Sequence, residues 1–381
     1  MTGREKILAA MSERGTRSVP VLICYPELLL RDQWERITSE PWWMMHSEDT
    51  DVAIRCQKDL LATTGEDRIP LWLGASRTDR ERYRIEGIDA SRTRRVDVVT
   101  GQVEELRRPP PGGFVRESYA RQFTGEGIAI TSHEQLDALF PIDDGASAEA
   151  WSADGRADRP RAMLAEFGRE KMPWTQLSSP FLPLLYVWGY KQLMVACSQA
   201  PDLVAYSAAR VMENALRRIA AWTDLGVELF WIQEGMTDQI SPDHHRRLAL
   251  PCLQQMTRTI RRRGAFSIYY YTGNPMDRIE VLLDSGADAL ALEEGRKHFD
   301  IDIEEVARRV DGRMALVGNL DEVTVLEPGP PDAIRAEVAR QLEAGRRNGG
   351  RFLMGLGGPA TPNTPIDHVR LIADTVHDLA P

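Results

Sequence analysis

The chain has 381 residues, of which 43% are hydrophobic, and its formal net charge at pH 7 is −10. This length and composition suit one large domain with a buried core or two smaller domains. The acidic balance argues against a nucleic-acid partner, because phosphate recognition calls for clustered, uncompensated Lys and Arg side chains.

The N-terminal third contains two apolar runs that predict strands, at residues 19–27 (VPVLICYPE) and 69–74 (IPLWLG). Residues 90–160 differ from the rest. The stretch VDVVTGQVEEL alternates around Thr100 and Gly101 as a β-hairpin does, and the following loop 107–126 begins with the extended spacer RRPPPGG. The stretch DDGASAEAWSADGRADRP predicts a loop. We interpret residues 90–160 as an insertion at one mouth of a single domain that covers residues 1–381.

From about residue 160 onward, apolar runs alternate with longer amphipathic stretches, the pattern of βα units in a parallel sheet. The predicted strands are residues 181–189, 227–235, 266–274, 287–295, 314–321 and 351–358. Two clear helices are predicted at residues 201–225 and 330–350, the second opening on proline and closing near Gly345.

These six strands and the two earlier ones make about eight, which predicts a (β/α)₈ barrel. A doubly wound open sheet is the alternative. It is less favoured because no GxGxxG segment follows an early strand.

Chemistry in such a barrel lies at the carboxyl ends of the strands, so candidate residues can be taken directly from those positions. They are Gln233, Glu234, Asp238, Tyr270, Tyr271, Thr272, Asn274, Glu293, Glu294, Lys297, His298, Asn319, Asp321, Gly355, Gly357 and Gly358. The set offers carboxylates, phenols, amides and a glycine-rich wall, without an obvious metal cage.

Strand alternation places Tyr269 and Tyr271 on one side of their strand and Tyr270 on the other. The same alternation separates the adjacent Glu293 and Glu294, so either one is a site acid and the other a surface acid, or both are surface acids. Asn319 can simply cap a turn, and the glycines near residue 357 can serve turn geometry alone.

Cys24, Cys56, Cys197 and Cys252 lie far apart, with no CxxC pair and no histidine at ligand spacing. We therefore expect free thiols in a reducing compartment. The charged N-terminus is unlike a signal peptide, and no run approaches the roughly 18 apolar residues of a membrane span. We expect a soluble, cytoplasmic protein that binds no membrane.

Four segments resemble the uroporphyrinogen decarboxylase superfamily, which also contains cobalamin-linked methyltransferases. They are TGREKILAAMSERGTRSVPV at the start, LGVELFWIQEGMTDQISPDHHRRLALP, GADALALEEGRKHFDIDIEEVARRVDGRMALVGNLD, and GGRFLMGLGGPATPNTPIDHVRLI at the end. The resemblance implies a (β/α)₈ barrel with its site in the barrel mouth, often as a homodimer.

Departures from the family patterns limit the reaction. Thiol methyltransferases of the superfamily carry His-x-Cys-Gly where this chain has Tyr270-Tyr271-Thr272-Gly273, and a further Cys where it has Gly358. Zinc there needs soft ligands that this chain lacks. Uroporphyrinogen decarboxylases open with Arg-Gln-Ala-Gly-Arg and use a nearby Asp, whereas this chain has CYPELLLRDQ and no acid in residues 69–74. The family's closing Gly-His-Gly has also lost its histidine, around Gly357.

We therefore expect a cofactor-free, metal-independent lyase, most simply a decarboxylase, that acts on a small or medium acidic or aromatic substrate. Glu234 with Glu293 or Glu294 would handle protons, and Tyr270 or Tyr271 would stabilise the developing charge. The substrate would contact Gln233, Asn274, Lys297, His298, Asn319, Gly357 and Gly358. One alternative is a methyltransferase or O-demethylase that passes a methyl group to a corrinoid on a partner protein. Another is a non-catalytic, ligand-binding relative.

Overall fold

The computed structural model describes residues 1–89, 92–112, 127–295 and 299–380. Two predicted substrate contacts, Lys297 and His298, lie outside these residues, as does most of the predicted loop 107–126. The strands are β1 (Val21–Leu22), β2 (Arg68–Pro70), β3 (Tyr83–Gly87), β4 (Arg92–Asp97), β5 (Val103–Arg107), β6 (Met172–Ser178), β7 (Leu229–Glu234), β8 (Phe266–Tyr271), β9 (Ala289–Leu292), β10 (Ala315–Val317) and β11 (Phe352–Gly355).

Eight of these strands form one parallel sheet in the order β1-β11-β10-β9-β8-β7-β6-β2. The seam between β1 and β2 is nearly closed by two hydrogen bonds of 2.9 Å. The Asp67 amide donates to the Val21 carbonyl, and the Val21 amide donates to the Asp67 carboxylate. The prediction of a (β/α)₈ barrel is confirmed.

Helices surround the barrel, and most of them bury apolar residues. They span Gly3–Met11, Pro26–Asp32, Trp34–Ile37, Thr50–Thr64, Arg77–Arg82, His133–Leu139, Ala148–Ala153, Asp158–Phe167, Leu184–Trp188, Tyr190–Gln199, Pro201–Asp224, Pro242–Leu248, Leu250–Arg262, Ile279–Leu283, Ile303–Val310, Pro331–Arg347 and Ile366–Leu379. The two helices predicted at residues 201–225 and 330–350 are both present, each with proline in its first turn. None of the described helices is long and apolar enough to cross a membrane.

One predicted strand is wrong. Residues 181–189 contain the helix Leu184–Trp188, and the barrel strand is the preceding segment Met172–Ser178. The buried residues Phe181, Leu184, Leu185 and Trp188 recur at the spacing of one helix face. A short, continuously apolar run does not reveal whether its period is that of a strand or a helix, so the sequence pattern alone does not distinguish the two.

The predicted loop near residue 150 is also wrong, because the helix Ala148–Ala153 begins there. The Ser147 side chain caps it by accepting from the Ala150 amide. The predicted hairpin is confirmed: β4 and β5 pair antiparallel with Val96 opposite Val103. Strand β3 extends this hairpin to three strands, and Gly87 at its end lies against the Trp43 ring.

Candidate active site

Tyr270 reaches across the interior of the barrel. Its hydroxyl donates a 2.7 Å hydrogen bond to the Gly357 carbonyl, and its ring meets that of Tyr25 edge-on, with centroids 6.4 Å apart. Strand β8 is not adjacent to β1 or β11 in the sheet, so these contacts pass through the barrel. Burial raises the pKa of Tyr270 well above that of a free phenol. The side chain is therefore a neutral hydrogen-bond donor.

Tyr25 is held there by an unusual backbone conformation. Its φ of 49° and ψ of 59° lie in the left-handed region, which side chains other than glycine rarely adopt. Pro26 follows and begins the next helix. Strain of this kind persists only where the surrounding structure enforces it, and it is found mostly at functional sites.

A group of buried acids lies at the same mouth. Glu293 and Glu294 follow β9 and expose 8% and 7% of their surface, while Glu322 exposes 1%. A Cβ on Gly358 would stand 2.8 Å from a Glu322 oxygen and 3.3 Å from a Glu294 oxygen. A Cβ on Gly357 would stand 2.4 Å from the Glu294 backbone nitrogen. The absence of side chains at Gly357 and Gly358 thus leaves the space that Glu294 and Glu322 occupy.

Arg68 and Glu66 form an ion pair inside the barrel wall, 1% and 0% exposed, with Nε and Oε1 2.5 Å apart. The guanidinium lies over the Trp174 ring, 3.9 Å from its centroid, and also donates to the Ile23 carbonyl. Neither Arg68 Nη1 nor Glu66 Oε2 has a hydrogen-bond partner among the described residues. Complete burial raises the pKa of Glu66 to about 7, although the Arg68 charge opposes this rise.

The three side-chain amides predicted to contact the substrate have different hydrogen-bond partners. The Gln233 side chain accepts a 2.6 Å hydrogen bond from Gln176. Gln233 is paired in register with Tyr270, so both side chains lie on the interior side of the barrel. Asn319 donates to the carbonyls of Glu293 and Ile301, and its Oδ1 has no partner in the part of the chain that is described. The Asn274 side chain instead accepts from the Met276 amide and closes a turn.

Glu234 lies on the other side of the barrel wall. It is fully buried, accepts from Ser179 Oγ at 2.9 Å and from Tyr269 OH at 3.0 Å, and also accepts from the Gly235 amide. Tyr269 OH lies 3.4 Å from Nε2 of His245, which belongs to the surrounding helix Pro242–Leu248. Burial raises the pKa of Glu234 to about 8.

Tyr271 shares this outer side, where its ring stacks parallel to that of His245 with centroids 6.3 Å apart. The structure therefore brings Tyr270, Glu293, Glu294, Gln233, Asn319 and the two glycines to one mouth. It does not bring Glu234 or Tyr271 there. The alternation of the three tyrosines is as the sequence indicates.

The strand end that carries zinc ligands in the thiol methyltransferases does not fit a metal here. The Thr272 hydroxyl donates to the Glu234 carbonyl at 2.9 Å, and the Tyr270 hydroxyl is engaged by Gly357. Among the described residues, no three or more His, Cys, Asp or Glu side chains are arranged to hold a metal ion. Oxygen and phenol groups at this position offer none of the soft ligands that zinc prefers.

Sequence reasoning missed Glu66, Arg68 and Glu322. The signal for the first two was present: they are charged residues within and beside a barrel strand, whereas the other described barrel strands contain a single charged residue, Glu234. Such residues are rarely buried unless paired. Glu322 follows the GNLD segment directly, but nothing in the sequence shows that its side chain is buried.

Comparison with known proteins places this chain in a family. The family model described as uroporphyrinogen decarboxylase matches residues 157–379, more than half of the chain. The chain therefore belongs to the uroporphyrinogen decarboxylase family, whose members are enzymes.

Individual relatives are distant. The chain is 29% identical over 199 residues to a uroporphyrinogen decarboxylase of Xanthomonas euvesicatoria and 27% identical over 201 residues to that of Xylella fastidiosa. Each match covers 50% of this chain and 54% of the relative, so the chain spans about half the length of these relatives. A solved methyltransferase from Methanosarcina mazei shares the fold, with a TM-score of 0.67 at 17% identity over 99% of both chains.

Proposed function

We propose that this protein is a metal-independent lyase that decarboxylates a small or medium acidic or aromatic substrate. The observation that carries the proposal is the buried Arg68 guanidinium. Its Nη1 has no acceptor among the described residues, and a guanidinium is well suited to bind a carboxylate. The guanidinium lies over the rings of Trp174 and Trp231, so a substrate carboxylate bound to it would lie in a dry, aromatic environment.

Decarboxylation breaks one carbon–carbon bond, releases CO₂ and leaves an electron pair on carbon that a proton must neutralise. Removal of water favours this step, because the charge is more dispersed in the transition state than in the carboxylate. Burial raises the pKa of Glu66 and so favours its protonated form, against the opposing charge of Arg68. Glu66 can act as the acid beside Arg68, and Glu293 and Glu294 are the other candidate proton donors.

Tyr270 would stabilise the developing charge by turning its neutral hydroxyl from the Gly357 carbonyl to the substrate, and Gln233 and Asn319 would orient the substrate. Glu234 and Tyr271 have no direct part in this proposal, because they face the helices. The reaction requires no cofactor, and a homodimer would suit it as well as a monomer.

The proposal is tested by incubating the chelator-treated protein with a panel of aryl and heteroaryl carboxylic acids labelled with ¹³C at the carboxyl group. We expect labelled CO₂ from at least one acid, and its loss in Arg68→Met. Arg68→Lys keeps a positive charge beside Glu66, so it should fold and retain partial activity. Arg258→Met, an exposed arginine in the helix Leu250–Arg262, is the matched control. Release of CO₂ from no acid, or equal release by Arg68→Met, would contradict the proposal.

Methyl transfer to a corrinoid partner is the second candidate, and the charge of the mouth favours it. The Arg68 guanidinium is accompanied by the carboxyl groups of Glu66, Glu293, Glu294 and Glu322, all buried. Acids in this number suit protonation of an ether or amine leaving group and repel a substrate with several carboxylates. Formation of methylcobalamin from cob(I)alamin and a methoxylated aromatic compound would select this function over decarboxylation.

A further inference from the structure

A cavity of about 300 Å³ lies beside the barrel mouth. It is enclosed by the helices Pro26–Asp32 and Thr50–Thr64, the turn Trp42–His46 and the end of β2. Trp34, Trp72, Met44 and Met45 contribute aromatic and thioether surface to its wall. Such walls bind flat, apolar molecules well, since the aromatic rings are rigid and methionine adapts its shape.

Three buried polar atoms on this wall have no hydrogen-bond partner within residues 1–89, 92–112, 127–295 and 299–380. They are Glu27 Oε2, Gln57 Nε2 and His46 Nε2. Gln57 is 6% exposed, and although the Glu27 side chain is partly accessible, its Oε2 is shut off from solvent. Unsatisfied buried polar groups are rare and call for an explanation, such as a bound molecule. Of these atoms, the acceptor of Glu27 and the amide donor of Gln57 suit a ligand that offers both functions in return.

The wall favours an uncharged ligand. Burial raises the pKa of the Glu27 carboxyl group and so disfavours its charged form. The Arg31 guanidinium is already paired with Asp32 at 2.7 Å. A charged ligand would exchange its hydration for a largely apolar chamber, which is costly.

We propose that this cavity binds an uncharged aromatic or heteroaromatic molecule of roughly ten to fifteen non-hydrogen atoms, with a hydrogen-bond donor and a carbonyl acceptor on one edge. The donor meets Glu27 and the acceptor meets Gln57. Binding here does not depend on decarboxylation, and it is measured without turnover, so the failure of either proposal leaves the other standing.

The test uses 2-quinolone, a bicyclic lactam with this donor and acceptor pair, in titration calorimetry with the whole protein. Naphthalene has the shape without the polar edge, and quinoline-2-carboxylate adds a negative charge. We expect 2-quinolone to bind at least about fivefold more tightly than either compound, which is the effect of one hydrogen bond to a neutral partner.

Variants connect the affinity to the cavity. Gln57→Leu should weaken 2-quinolone by about fivefold or more and leave naphthalene within about twofold, while the exposed Gln255→Leu should change neither. Glu27→Gln provides a second variant if Gln57→Leu folds poorly, and thermal melting verifies that each variant is folded. The proposal is overturned if 2-quinolone does not bind, binds no better than naphthalene, or binds both cavity variants as well as it binds the wild type.

Discussion

The Tyr270 hydroxyl and the Gly357 carbonyl, 2.7 Å apart, join strand β8 to the closing segment after β11 across the barrel interior. This contact fixes which of three consecutive tyrosines faces the mouth. It also brings the phenol beside Gly357, where the Glu294 backbone leaves no room for a side chain. The mouth of this barrel is therefore built from oxygen-bearing groups at the position where the resemblance to thiol methyltransferases implies a metal.

The Glu66–Arg68 pair should behave as a buried ion pair in a double-mutant cycle. Arg68→Met leaves a buried carboxyl without its partner and should cost about 3–5 kcal/mol of unfolding free energy. Adding Glu66→Gln should recover a large part of that loss, because no charge then remains unmatched. Urea unfolding measures the stability of the wild type, the two single variants and the double variant. The control Arg308→Met breaks an exposed pair with Glu305 and should have no measurable effect. Additive losses in the double variant would contradict the pairing.

Tyr269 and Tyr271 offer a matched comparison on the outer side of the barrel. The Tyr269 hydroxyl donates to Glu234, whereas the Tyr271 hydroxyl is buried without a partner among the described residues. Tyr269→Phe should therefore cost about 1–3 kcal/mol, and Tyr271→Phe should leave stability unchanged or slightly raised. Chemical denaturation of both variants measures the difference. A loss in Tyr271→Phe as large as that in Tyr269→Phe would show that its hydroxyl does have a partner.

Glu234 should make stability depend on pH. Its pKa is about 8 in the folded protein, against an ordinary value of 4.5, so the folded state keeps a proton that the unfolded state has already released. The stabilising contribution is complete below about pH 4.5 and is lost as the pH rises toward 8. The slope approaches about 1.4 kcal/mol per pH unit within that window.

Glu234→Gln removes this titration, so its stability relative to the wild type should increase steadily from pH 5 to pH 8. Urea unfolding at four pH values within that range provides the measurement. The exposed Glu213→Gln should instead parallel the wild type throughout. If the Glu234→Gln and wild-type curves also run parallel, the carboxyl group does not have the raised pKa.

Sequence patterns predicted the barrel because its strands and helices have local signals: apolar runs for the strands, and proline in the first turn of several helices. They failed at residues 181–189, where a nine-residue apolar run fits both periods. Within the site, strand alternation correctly separated Tyr270 from its neighbours. The side on which Glu234 lies could not be derived, because either face of β7 can bury a carboxyl group if partners are present. Its partner Tyr269 belongs to β8, and its partner Ser179 directly follows β6.

The residues most distant in sequence were the least predictable. Arg68 meets the carbonyl of Ile23 and the ring of Trp174 only after the barrel has closed. Glu27 becomes part of a cavity wall only when the helix Thr50–Thr64 packs beside it. Local patterns carry no information on such contacts, which depend on tertiary packing.

Zinc should be absent from the purified protein in stoichiometric amount. Thr272 and Gly358 stand where thiolate ligands would be needed, and the Thr272 hydroxyl is already bonded to the backbone. Elemental analysis of protein dialysed without chelator should give well under one zinc ion per chain, and chelator should leave the melting temperature unchanged. One tightly held equivalent, with melting that falls on its removal, would contradict the metal-free site.

The most direct test of the central claim, that a metal-free mouth centred on Tyr270 carries the chemistry, is labelled CO₂ release by chelator-treated wild type, Tyr270→Phe and Tyr206→Phe. Tyr206 is a control because its hydroxyl pairs with Asp137 in an exposed contact on the helix Pro201–Asp224. We expect release by the wild type and Tyr206→Phe, and a loss of about tenfold or more in folded Tyr270→Phe. Release that requires added metal, or that is equal in all three proteins, would contradict the claim.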